Sequence, residues 1–263
     1  MTLVNLIDFA GGGDKNCLSK IAITSSVLAV STFVIAPVQA ATVNRTTAFG
    51  NGADTFVVNI NPDTNFNAVD PTVAIKGDST VIRKGYLRFD LNSINKSNIS
   101  NAIFNWTYVD NNSTPPLSSY SVYGLNDGNA GENWNESTIT WNNAPANGGG
   151  NTIDSSQTTF LGLFSFNPTS TPFGTIISFS DPKLVSFLQN DTNNLATLII
   201  TRDNFNVSTQ NFAGKEATQF APPTLQLEIT PPPPVTSIPE PSSILGLLSL
   251  GVLGIGAALK RKL

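Results

Sequence analysis

An uncharged apolar run from Ile244 to Leu259 is entered through Pro239-Glu240-Pro241 and ends on Lys260-Arg261-Lys262. No other feature constrains the fold as strongly. As a helix rising ~1.5 Å per residue the run covers roughly 24 Å, short of a ~30 Å hydrocarbon core. Starting the span at Pro241 and letting the terminal basic side chains snorkel makes up most of the difference. The run is therefore read as a transmembrane helix over 244–259. Lys260, Arg261 and Lys262 are its cytoplasmic basic anchor, which leaves everything before it outside.

The other end agrees. Lys15 and Lys20 precede an apolar stretch from Ile21 to Ala36, and Val38-Gln39-Ala40 puts small residues at the cleavage positions. This is the pattern of a secretory signal peptide over 1–40, cut after Ala40 by signal peptidase. Cys17 lies ahead of the apolar stretch, where a lipoprotein cysteine would follow it. With the leader gone no cysteine remains, so the fold has to stand without disulfides or thiolate metal sites.

What is left is long enough to bury a core as one domain over 41–230, followed by a proline-rich linker over 231–238. Between Ala41 and Ile238 nine lysines and arginines face fifteen acids, a net charge of −6, which argues against nucleic acid as a partner. The whole chain has no histidine, the commonest general base and metal ligand. Asn, Thr, Ser, Gly and Pro are abundant, a composition that favours strands joined by Asx-type turns.

Strands are expected at Thr55–Ile60, Val73–Lys76, Lys84–Leu91, Ile99–Asp110, Tyr120–Leu125, Thr158–Ser165, Thr175–Ser180, Ala196–Arg202 and Thr224–Thr230. In Lys84–Leu91, residues Leu87, Phe89 and Leu91 alternate with Tyr86, Arg88 and Asp90, which predicts a half-buried strand. Ala102, Phe104, Trp106 and Tyr108 share one face of the next strand, with Ile103, Asn105, Thr107 and Val109 opposite. Asp181-Pro182 opens a short helix with Leu184, Val185, Phe187 and Leu188 as its apolar stripe. The fold class is all-β, an antiparallel two-sheet sandwich.

Two resemblances sharpen this reading. Pro239-Glu240-Pro241, the short apolar span and the basic end resemble the PEP-CTERM sorting signal of Gram-negative bacteria. That resemblance implies recognition by an exosortase, with a membrane-anchored precursor and a mature form at the cell surface, outer membrane or extracellular matrix. The middle of the chain resembles the DNRLRE domain, close to family 96 carbohydrate-binding modules and disaggregatase-related domains. The matching stretches include Asp54-Thr55-Phe56-Val57, Tyr86-Leu87-Arg88-Phe89-Asp90-Leu91, Phe212-Ala213-Gly214-Lys215-Glu216 and, most specific, Trp134-Asn135-Glu136-Ser137-Thr138-Ile139-Thr140-Trp141-Asn142-Asn143-Ala144-Pro145. The resemblance implies a jelly-roll-like sandwich and polysaccharide as partner, and it puts Phe104 and Trp106, which share a face with Ala102, at inward positions, so both are read as core. Asp203–Gln210 reads as a polar insert beside it.

Candidate ligand-binding residues are Trp134 and Tyr123, whose rings could stack on sugars, with the amides of Asn142 and Asn143. The competing role for Trp134 and Trp141 is a core or corner lock. Alternation puts Ile139 and Trp141 on one inward face and leaves Trp134 in or near a loop, so Trp141→Ala is expected to cost more stability than Trp134→Ala. Glu132 and Glu136 form no convincing glycosidase pair, and no catalytic residue is assigned. Asn61, Asp63 and Asn65 have the spacing that begins a calcium loop but lack its glycine and closing glutamate, so an Asx-turn ladder is favoured over structural Ca²⁺. No cofactor or metal is expected. The function these observations imply is an exported, non-catalytic protein that binds or embeds in exopolysaccharide. A purely structural or adhesive matrix protein and a polysaccharide-degrading enzyme are the alternatives.

Overall fold

The structure, a computed structural model, describes residues 39–67, 71–110, 117–129, 131–204 and 206–231. The strands are β1 (Ala41–Thr46), β2 (Ala53–Val58), β3 (Thr72–Gly77), β4 (Ile82–Asp90), β5 (Ile99–Thr107), β6 (Ser118–Leu125), β7 (Thr158–Phe166), β8 (Ile176–Phe179), β9 (Leu195–Arg202), β10 (Asn206–Ala213) and β11 (Thr224–Ile229). Among the described residues one α-helix, α1 (Pro182–Gln189), joins β8 to β9. Asp181 caps α1 by accepting from the Lys183 amide, and Pro182 occupies its first turn, as the sequence predicts. No helix among the described residues is long and apolar enough to cross a membrane. The leader up to Val38, the sorting motif Pro239-Glu240-Pro241, the span over 244–259 and the anchor Lys260, Arg261 and Lys262 lie outside the described residues.

The strands form two antiparallel sheets packed as a sandwich. One runs β1-β11-β5-β8; the other runs β10-β3-β4-β9-β6-β7, with β2 also paired to β4. β1 and β11 pair from Ala41 opposite Ile229 to Thr46 opposite Thr224. The core between the sheets takes one side of each strand: Leu87, Phe89 and Leu91 face Ala102, Phe104, Trp106 and Leu225, all buried. Trp106 is the largest fully buried side chain, stacked on Phe212 at 4.1 Å, with its indole N–H donating to the Ala213 carbonyl at 3.0 Å.

The structure corrects three expectations. The strand at 82–90 is buried on both faces rather than one, because a second apolar cluster covers its outer side. Tyr86, Ala53, Val57 and Ile199 pack there against Trp134, Ile139, Ala144 and Ala146 of the long 126–157 connection. The run from Trp134 to Trp141 is a succession of turns rather than an alternating strand. The Asn135 carbonyl takes the Ile139 amide at 2.9 Å and the Asn143 side chain takes the Thr140 amide at 2.6 Å, so local bonds replace a ladder. Trp141 is consequently half-buried with the Lys84 ammonium 4.7 Å from its ring, while Trp134 is 6 % exposed. Finally, the polar stretch after Asp203 belongs to β10, which pairs with β3 through an irregular register.

Candidate functional site

The residues with the most unusual surroundings gather at one end of the sandwich, where β1 ends, β2 begins and β4 ends. Asp54 opens β2 and is 2 % exposed. Its carboxylate accepts from the Thr47 hydroxyl and from the Lys215 amide at 2.9 Å. Its own amide donates to Glu136 Oε1 at 2.8 Å. Lys215 Nζ donates to Glu136 Oε2 and stands 3.6 Å from Glu216. Carboxylate oxygens of Asp54, Glu136 and Glu216 all lie within 4.8 Å of one another, a spacing that can hold a cation. In this structure the Lys215 ammonium supplies that positive charge. Burial, reinforced by the charges of Glu216 and Glu136, pushes the Asp54 carboxyl up to about 7. Burial raises Glu216 as well.

Beside this cluster opens a polar cleft of about 270 Å³, lined by Asn51, Arg88, Asn133, Trp134, Asn135 and Glu136 together with the backbone of Gly52 and Ala53. Arg88 projects from β4 and is fixed by two backbone acceptors: Nε donates to the Asn51 carbonyl at 2.9 Å and Nη1 to the Trp134 carbonyl at 2.5 Å. Its guanidinium carbon lies 5.0 Å from the Trp134 ring centre, a cation–π contact. The Trp134 indole N–H donates to Thr197 Oγ1 at 3.2 Å, and its ring meets Tyr86 edge-on at 6.1 Å. A planar cation, several amides and a carboxylate around one hollow offer both donors and acceptors, the equipment that recognises hydroxyl groups.

The structure does not bring the four candidate ligand-binding residues together. Trp134 forms a wall of the cleft but is too buried to be an open platform. Tyr123 lies on β6, half-buried, with its ring 5.4 Å from Phe160. Asn142 is exposed and donates to Asp63 at 2.7 Å, and Asn143 uses its oxygen on the Thr140 amide and its nitrogen on the Thr138 carbonyl. Asn65 turns its amide onto the Glu136 and Ile139 carbonyls, both at 2.8 Å, so the 61–65 loop serves as a strut for this turn. Glu132 is buried and accepts from the Gly128 amide at 3.0 Å, away from Glu136's partners. Sequence reasoning missed Asn51, Arg88, Asp54, Lys215 and Glu216 as site residues, although Asp54, Arg88, Lys215 and Glu216 fall within the stretches that carry the family resemblance.

Residues 45–160 match carbohydrate-binding module family 96, and residues 237–262 match the PEP-CTERM protein-sorting motif. No curated protein gives a match. The first match points to carbohydrate binding, and the second to an exported protein sorted by an exosortase to the cell surface. The chain thus carries a match to the PEP-CTERM sorting motif near its C-terminal end and a family 96 carbohydrate-binding match over much of its β-sandwich.

Proposed function

We propose that this is an exported, non-catalytic protein that binds or embeds in exopolysaccharide at the cell surface or in the extracellular matrix. It makes its sugar contacts at the end of the sandwich where Trp134, Arg88 and Glu136 line the polar cleft. One observation carries the reading: every residue lining that cleft, from Asn51 to Glu136, falls within the 45–160 family 96 match. The carboxyl poised near neutrality, where an acid–base catalyst would need it, belongs to Asp54, and its oxygens are buried and bonded away from any substrate. A glycan array probed with the purified full chain is expected to show binding to polysaccharide fragments. Binding to none of them, with the protein still retained in the matrix, would leave the structural or adhesive reading in its place.

The sorting motif has its own test. In a host with an exosortase, a shortened form lacking Ile244–Leu263 is expected, and Glu240→Ala is expected to leave a longer, membrane-bound form. Immunoblots of the two fractionated strains check this, and identical processing of both versions would reduce Pro239-Glu240-Pro241 to a linker.

A further inference from the structure

Across Lys215 from the polar cleft, the chain after β10 and the loop before β8 enclose a second hollow of about 290 Å³. Phe173 and Phe220 make its corner, with ring centres 5.0 Å apart and planes at 81°. Phe173 is 51 % exposed and Phe220 is half-buried. Large aromatic rings are normally driven inward, so an open pair set edge to face stands out against the buried ring cluster of the core. The corner is also held in place. Gly174 sits at φ +84°, where a side chain would be strained, and a Cβ there would stand 3.4 Å from the Phe220 ring. The Gly174 amide donates to the Tyr108 carbonyl at 2.8 Å, which anchors the Phe173 loop to the end of β5. The rim is polar, formed by Glu216, Thr218 and Gln219.

Resting on the carbohydrate-binding reading above, we propose that this corner is a stacking subsite for a neutral polysaccharide. The open aromatic faces take the apolar face of a sugar ring, while Glu216 accepts from ring hydroxyls and Gln219 can both donate and accept. The charge of the rim selects against acidic polymers. Glu216 stands at the mouth with the carboxyl groups of Asp54 and Glu136 close behind it, and the ammonium among them, Lys215, is shared between Glu136 and Glu216. A uronate or sulfate group would meet Glu216 beside an ammonium already shared between two carboxylates. The hollow's volume is near the lower end of the roughly 300–1,000 Å³ of small-molecule sites, which suits a short stretch of chain rather than a long one.

Affinity electrophoresis of the purified full chain tests this, using gels cast with a soluble neutral polymer (hydroxyethylcellulose, a mixed-linkage β-glucan or a galactomannan) or with a polyuronate. Wild type is expected to be retarded by at least one neutral polymer and not by the polyuronate. Phe173→Ala, which removes a half-exposed ring, is expected to keep its melting temperature and weaken retardation about tenfold or more. Phe173→Tyr is expected to retain it. Undiminished retardation of both Phe173→Ala and Phe220→Ala would overturn the subsite while leaving the carbohydrate-binding reading intact. Retardation by the polyuronate alone would overturn the neutral class. Passage of wild type unretarded through every gel would overturn the subsite and the carbohydrate reading together.

Discussion

Replacing Trp134 by alanine is expected to lower the melting temperature of the protein far more than replacing Trp141. Trp134 is 6 % exposed, closes the outer apolar cluster against Tyr86 and Ile199, and roofs the Arg88 guanidinium. Truncating a buried tryptophan typically costs ~3–5 kcal/mol, which for a domain of this size corresponds to roughly 10 °C. Arg88 would in addition lose the ring that shields it. Trp141 is half-buried and covers Lys84, whose ammonium is held by the Asn147 side chain and by the Gly148 and Thr152 carbonyls at 2.7, 3.1 and 2.6 Å. Those bonds survive Trp141→Ala, so its cost is expected near 1–2 kcal/mol. Thermal melts of the two variants rank them, and a larger loss at Trp141 would show that its indole, not that of Trp134, is the one that locks the connection to the sheet.

The second large effect is on pH dependence. Asp54 is an acid whose value in the folded protein, about 7, lies above its ordinary value near 3.8. The folded state therefore holds a proton there that the unfolded chain gives up, and the stability this contributes is present at low pH and is lost as pH rises from about 4 through about 7. Between pH 5 and pH 8 the loss is on the order of 2–3 kcal/mol, several degrees in melting temperature. Asp54→Asn keeps an acceptor for the Lys215 amide and a group that can donate to Thr47, without the ionisation. Its melting temperature is expected to change less than that of wild type between pH 5 and pH 8. Parallel pH profiles for both proteins would sink the assignment of this dependence to Asp54.

Much of the sandwich was legible because its inner faces obey strict alternation. Alternation put Ala102, Phe104 and Trp106 on one face, the family resemblance marked that face as inward, and the cap and proline of α1 marked its start. The outer face of β4 was not legible. Tyr86 and Arg88 look like solvent-facing residues until a connection some fifty residues later folds over them, and nothing local signals that cover. β10 was hidden for a different reason: before Phe212 the residues it buries, Ser208 and Gln210, are polar, so the stretch carries no apolar alternation, and it stands at the edge of its sheet. The site was the least visible part. Asp54 reaches Lys215 across 161 residues of sequence and Glu136 across 82, so the cluster exists only once the sheets are assembled. Asn51 and Asn133 stand among many asparagines that do no more than make turns.

The register of β1 on β11 also fixes where the described chain enters and leaves the sandwich. Ala41 lies opposite Ile229, so the first described strand begins and the last one ends at a shared pole. The aromatic corner and the polar cleft lie at the other pole, past Thr224 and Thr46. Six residues of strand at ~3.4 Å each put roughly 20 Å between the two. The described chain thus enters and leaves the sandwich at one pole. A polymer engaged at the opposite pole, as proposed above, would not compete for the surface around Ala41 and Ile229.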